Sequence, residues 1–283
     1  MARAARVLTD EIWFGEGPRW HDGRLWFANW GAQEIIAVDR AGKSEVVLRV
    51  PTTIPFCIDW QPDGRLLVVS GREGLLLRQR RDGALETFAD LNPLARGWNE
   101  VVVDGRGAAY VNGGGFDLMA GEAFAPGIIA LVTPDGAIRQ VADGIAFPNG
   151  MAVTSDNATL IVAESYGRRL TAFAIADDGA LSNRRVWADL GAGCPDGICI
   201  DGEGAVWYAD VPNKRCVRVR EGGEILQVVD FDRGCFACML GGPDRTTLFV
   251  VAAEWRGPAA MGDGVRTGQL LSFKAPARGA GWP

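Results

Sequence analysis

The chain has 283 residues, 48% of them apolar and 9% aromatic, with 29 Lys and Arg against 35 Asp and Glu and a net charge of -6. This composition suits a globular fold with a full core, and an acidic balance spread along the chain opposes nucleic-acid binding, which needs a Lys/Arg surface. No apolar run approaches the roughly 18 residues of a membrane span, and Asp10 and Glu11 interrupt the opening MARAARVLTDEIWFGEG before a signal-peptide core can form, so a cytoplasmic location is expected.

The first element is a lone apolar strand, ARVLTD. After it one pattern recurs six times: an apolar strand, an Asp or Asn beside Gly, then a second apolar strand. The turns and second strands read HDGRLWFANW from His21, PDGRLLVVSG from Pro62, VDGRGAAYVNG from Val103, SDNATLIVAES from Ser155, IDGEGAVWYAD from Ile200 and GPDRTTLFVVAA from Gly242. Asp-Gly pairs supply the positive-φ residues of tight hairpins. The turn residues Asp22, Asp63, Asp104, Asp156, Asp201 and Asp244 are 41, 41, 52, 45 and 43 residues apart, near the period of a four-stranded propeller blade. Each of the first five units continues through a further strand, a second turn and a last strand, as in IIAVDRAGKSEVVLRV and LLLRQRRDGALETFAD. The strand text is rich in β-formers, and no stretch carries capped helical periodicity.

The sixth unit stops one strand short, at GQLLSFKAPARGAGWP. Arg6–Leu8 is therefore expected to supply its outer strand, closing the ring and removing an exposed edge. The expectation is one all-β domain over residues 1–283: a six-bladed β-propeller of four-stranded antiparallel blades, closed by the N-terminal strand in the last blade. The 52-residue spacing holds an insertion, GGGFDLMAGEAFAPG at 113–127. It reads either as a tolerated surface loop or as a flap over one mouth of the channel.

Cysteine and histidine counts narrow the chemistry. Six cysteines in a chain this long are no disulfide framework. Cys235 and Cys238 form a CxxC, which stands between a metal or redox site and a strand with two core thiols. His21, the one histidine, precedes a turn. A Ser-His-Asp mechanism would need it, and a His-rich zinc site is excluded.

In a propeller the first strand of each unit lines the channel, so residues five to seven before each turn aspartate share one depth. They are Glu16, Cys57, Asn99, Asn149, Asp196 and Cys238. Four of the six carry oxygen donors in apolar surroundings. The plain alternative is that Gly, Asn, Asp and Pro make turns everywhere. Their common phase favours a site, and a divalent cation satisfies such donors together. Two carboxylates with one or two amides form a hard set suited to Ca²⁺, Mg²⁺ or Mn²⁺, with Zn²⁺ also accommodated.

The motifs FGEGPRW from Phe14, GWNEVVVDGRGAAYV from Gly97, FPNGMAVTSDNATLIVAES from Phe147 and CPDGICIDGEGAVWYAD from Cys194 resemble the SMP-30/gluconolactonase/LRE (regucalcin) family, over essentially the full length. The resemblance implies one divalent metal held by Glu16, Asn149 and Asp196, with Asn99 near metal and substrate. It also marks departures. Members acting on sugar lactones commonly place an Arg two residues before that Asn, where this chain has Gly97. The Asp that follows the Asn is Glu100 here, and Arg96 is one position off. A more apolar lactone or ester is thereby admitted, with Trp98, Phe147, Phe116 and Phe236 as an apolar wall, plain core being the alternative for each ring. Glu254, which follows the inner strands of the sixth unit, is a candidate substrate-binding residue, with a salt-bridged rim position as the alternative.

The expected function is metal-dependent opening of a lactone, either a sugar lactone or a more apolar cyclic ester. The ion polarises the carbonyl and acidifies water, Asp196 acts as general base and Asn99 orients substrate or water. The alternatives are another metal-dependent reaction (phosphoester hydrolysis, isomerisation or cyclisation) and a non-enzymatic propeller that binds a metabolite or protein. The expected partner is a small-molecule substrate, without nucleic acid or membrane, for a monomer or weak homo-oligomer.

Overall fold

The computed structural model describes residues 5–52, 54–258 and 264–282. Its strands form six antiparallel sheets arranged as a ring. The inner strands are Gly15–His21, Phe56–Trp60, Trp98–Val103, Pro148–Val153, Pro195–Asp201 and Gly234–Gly241. Each contacts the next around the circle, and the sixth contacts the first, so the ring is closed about a central channel.

The strand text follows from burial. The second strand of a blade is covered on both faces by neighbouring blades, so Leu66–Ser70 and Val206–Asp210 are buried at every position. Such strands read as continuous apolar runs instead of alternating ones. Outer strands face solvent, and Ser44–Arg49 is exposed along almost its whole length. The apolar clusters lie between adjacent blades as wedges; one joins blades one to three, another blades five, six and one.

The repeated aspartates have a local cause. In five of the six inner hairpins the Asp carboxylate accepts the backbone N–H two residues on, as Asp63 does from Arg65 and Asp201 from Glu203. That Asx turn fixes the hairpin without help from the rest of the fold.

Closure is as expected. Arg6–Ile12 pairs with Gly268–Lys274 as the outer strand of blade six, with Arg6 opposite Ser272 and Val7 opposite Leu271. One feature departs from the repeat. Gly279–Ala280 adds a fifth strand to blade five, on its inner side, with Ala280 opposite Ile200. Trp282 then pairs with Val153 of blade four, exchanging two 2.8 Å backbone bonds. The tail thus stitches two neighbouring inner strands at the ends carrying the Asx turns. Among the described residues no helix is long and apolar enough to cross a membrane.

Candidate active site in the central channel

The donors expected on the axis lie on inner strands, and β-bulges aim them. In five blades the inner strand carries one residue more than its partner: between Glu16 and Arg19, Trp98 and Val101, Pro148 and Met151, Pro195 and Ile198, and Cys235 and Ala237. A bulge bends its strand and redirects a side chain. Asn99, Asn149 and Asp196 fall within these irregularities and Glu16 opens one. Blade two pairs regularly from Phe56 to Trp60, so Cys57 is held without a bulge.

The bulge also corrects the phase in blade six. There the extra residue is Phe236, so Phe236, not Cys238, stands in the place of Asn149 and Asp196. Cys238 lies deeper, lining the channel with Met151 and Ile198.

Close approach of the strands explains the adjoining glycines. A Cβ on Gly197 would stand 2.3 Å from Ala237 Cβ, and one on Gly150 2.6 Å from the Asp196 carbonyl oxygen. Neither position has room for a side chain. Buried polar groups at the tips of the second strands pin the segments entering the inner strands. Asn29 Oδ1 accepts the N–H groups of Trp13 (3.1 Å) and Phe14 (3.3 Å), Glu164 Oε2 that of Ala146 (2.8 Å), and Asp210 Oδ1 that of Cys194 (3.4 Å). Burial raises the Glu164 pKa, but hydrogen bonds from Arg169, Thr171 and Ala146 outweigh it and hold the carboxyl below its usual range. Glu164 is a structural staple.

Glu16, Asn149 and Asp196 are all buried, and Asn99 is half-buried. Burial pushes the Glu16 carboxyl well above its ordinary pKa, and repulsion from Asp196 and Glu100 adds to the rise. Burial does the same to Asp196, with Glu100 the largest repulsive neighbour and the Asn149 amide pulling back. Two residues carrying this electrostatics escaped the motif reading. Glu100, noted only as a departure, is 3% exposed and pairs at 3.0 Å with Arg19, itself 5% exposed. Arg19 Nε also lies 3.6 Å from Asp59, whose carboxyl burial pushes up to about 6 against the pull of Arg19. The spacing of Glu16 and Arg19 in EGPR was the available signal.

Four buried carboxyls therefore share one guanidinium, and Asp196 Oδ1 is buried with no hydrogen-bond partner. Buried acids in such excess need either protons or a cation. The oxygens of Glu16, Asn149 and Asp196 are the hard, acceptor-rich donors that divalent cations take, so these residues fit such an ion. Among the described residues no three His, Cys, Asp or Glu side chains gather as a ready cage; this set offers two carboxylates and an amide.

Other expected residues fall in several places. Trp98 is fully buried between blades, in the core cluster of blades one to three, and presents no face to a ligand. Its assignment to the apolar wall is corrected: along this strand it points opposite to Asn99. Phe116 and Phe147 do meet, their rings 5.5 Å apart. Phe236 packs on Phe14 at 4.3 Å and on Trp255 at 5.9 Å. Glu254 is exposed and borders a surface depression with Trp13, Phe14 and Trp255. His21 stacks on Trp60 at 4.1 Å beside the blade-one turn, at the strand end opposite Glu16. All six cysteines are free, and both CxxC thiols are buried in the core.

Three comparisons bear on this arrangement. Residues 14–254 match the family model described as SMP-30/Gluconolactonase/LRE-like region. The chain is 26% identical over 268 residues to pentonolactonase XacC of Haloferax volcanii, covering 92% of this chain and 88% of that one. Its fold superposes on a luciferin-regenerating enzyme with a TM-score of 0.83 at 19% identity, covering 98% of both chains. It also superposes on the calcium-binding protein regucalcin of Agrobacterium tumefaciens with a TM-score of 0.77 at 22% identity, covering 98% of this chain and 95% of that one.

Proposed function

The chain belongs to the SMP-30/gluconolactonase/LRE-like family, and on that premise we propose that it is a lactonase, a carboxylic ester hydrolase acting at the channel site with one divalent cation held by Glu16, Asn149 and Asp196. The observation that carries the reading is the buried, unpartnered Asp196 oxygen among acids that outnumber their single guanidinium. The pentonolactonase relative supports lactone opening, and the calcium-binding fold neighbour accords with a hard divalent ion.

When bound, the cation supplies Lewis-acid polarisation of the lactone carbonyl. The chain's own residues do the rest. Asp196 takes a proton from the attacking water as general base. Asn99, half-buried at the same depth, orients substrate or water, and Phe116 and Phe147 give the mouth an apolar side. Glu254 stands at the rim. Arg19 holds Glu100 and Asp59 by their carboxylates, and so offsets part of the repulsion that Glu100 exerts on Glu16 and Asp196.

The test is Asp196→Ala. It should abolish calcium binding in calorimetry and lactone opening in a pH-drop assay while leaving the melting transition cooperative. Full turnover by chelator-treated Asp196→Ala protein would overturn the proposal.

A further inference from the structure

The insertion at 113–127 is neither frayed nor featureless. Asp117 caps it from within, its carboxylate accepting the N–H groups of Met119 (2.8 Å) and Ala120 (3.0 Å). Glu122 closes the turn by accepting the Asp117 N–H at 2.8 Å. The loop's own acids are thus engaged in holding its shape, and what it projects toward blade four is Phe116 and Phe124.

Those two rings meet two more. Phe147 and Tyr166 stack at 4.7 Å with planes 19° apart, Phe116 lies 5.5 Å from Phe147, and Phe124 lies 5.5 Å from Tyr166. Backbone bonds lock the stacked pair at the top of blade four: Ser165 N–H to the Phe147 carbonyl and Tyr166 N–H to the Ala146 carbonyl, both 3.1 Å. Phe124 and Tyr166 are each 50% exposed. A contiguous exposed aromatic patch beside a channel is the kind of surface that binds something, unlike scattered apolar residues.

Phe147 supplies an independent observation. Its φ is +62°, the left-handed region that a bulky side chain avoids and glycine enters freely. Strain of this kind concentrates at ligand sites. Two residues later comes Asn149, the proposed metal donor, whose backbone carbonyl accepts a short bond of 2.5 Å from the Asn112 amide at the root of the loop. The strained ring, the loop and the donor strand therefore form one unit.

We infer that Phe116, Phe124, Phe147 and Tyr166 form a stacking subsite for an aromatic ring in the substrate, so that the preferred substrate is an aryl-bearing lactone. The half-exposed rings of Phe124 and Tyr166 offer a further aromatic ring a stacked or edge-on place, whereas a polyhydroxylated ring would find among the four only the Tyr166 hydroxyl as a hydrogen-bonding group. The inference rests on the lactonase reading. Opening such a lactone adds one water across the acyl C–O bond. The water oxygen enters the carboxylate, the ring oxygen leaves as a hydroxyl (a phenol where the aryl ring bears that oxygen), and one proton passes to solvent.

The experiment compares dihydrocoumarin, an aryl-fused δ-lactone, with δ-valerolactone, using calcium-loaded wild-type protein and a Phe124→Ser/Tyr166→Ser double variant. The ratio of kcat/KM values, aryl over aliphatic, should fall about tenfold in the variant, a change of about 1.4 kcal/mol. Calorimetry with 3-(2-hydroxyphenyl)propanoate, the opened product, should show Kd raised at least about fivefold. Should the double variant misfold, Phe124→Leu keeps the apolar volume and removes the π-face, and it should lower the ratio about threefold. A ratio and a Kd both within about twofold of wild type would overturn the subsite. Turnover of δ-valerolactone with no aryl preference would also overturn it while leaving the lactonase reading intact. Ring-dependent binding of the aryl acid without turnover of either lactone would do the reverse.

Discussion

Replacing Arg19 by Met should destabilise the metal-free protein, and more strongly at pH 8 than at pH 5.5. Arg19 NH2 lies 3.0 Å from Glu100 Oε1 and 2.6 Å from the Val101 carbonyl, and NH1 lies 3.0 Å from the Pro18 carbonyl. Met keeps the apolar stem and removes every one of these contacts. It leaves Glu100 and Asp59 buried without a counter-charge, a situation that costs about 3–5 kcal/mol. At roughly 2.1 cal/mol/K of unfolding entropy per residue, a chain of this length carries about 0.6 kcal/mol/K, so Tm should fall by about 5–8 °C. The pH sense follows from Asp59, already pushed up to about 6 by burial although Arg19 pulls it down. Without Arg19 it rises further. A carboxyl whose folded pKa exceeds its unfolded value near 4 keeps its proton in the folded state, so its penalty is absent below about pH 4 and grows as pH rises through the folded pKa. Circular dichroism melts of wild type and variant at both pH values are the assay. A loss under about 2 °C at pH 8, or equal losses at the two pH values, refutes the account of this cluster.

Further outcomes follow from the same geometry. Gly197→Ala places a methyl 2.3 Å from Ala237 Cβ, so over-packing of about 1–3 kcal/mol should lower Tm by a few degrees and weaken calcium binding in calorimetry; an unchanged melt would show that the strands can part freely. Because burial and repulsion from neighbouring acids raise the Glu16 and Asp196 pKa values, the chelator-treated protein should become more stable as pH falls toward the ordinary carboxylate range. Added calcium should raise Tm more at pH 8 than at pH 5.5, since ligands must shed their protons to bind, and Glu16→Gln should erase most of that gain. A calcium shift that grows with acidity would contradict it.

The blade count and the closing strand were legible because each rests on local chemistry: Asp-Gly turns, apolar runs and a strand left over at one end. What could not be read came from register. One residue's step along a strand moves a side chain to the other face, so Trp98 reads as wall and lies in the core, while its neighbour Asn99 is half-buried. In blade six a fixed count back from Asp244 reached Cys238, whereas the bulge puts Phe236 in that place. The Arg19–Glu100 pair joins residues 81 positions apart, a contact no local pattern announces. The GAGWP tail carries no repeat signal, yet it supplies blade five with its extra strand.

The regular pairing of blade two sets a rule for anyone redesigning this channel. Five blades already own the extra backbone unit that turns a side chain toward the axis; the Cys57 strand does not. Even so, the Cys57 thiol already lies against Glu100 and Glu16 and beside Gly17. An acid in its place would be a fifth buried carboxyl among four that already repel one another. What blade two gives the ring is a small neutral group where the charge is most crowded, and that restraint is its part in the design.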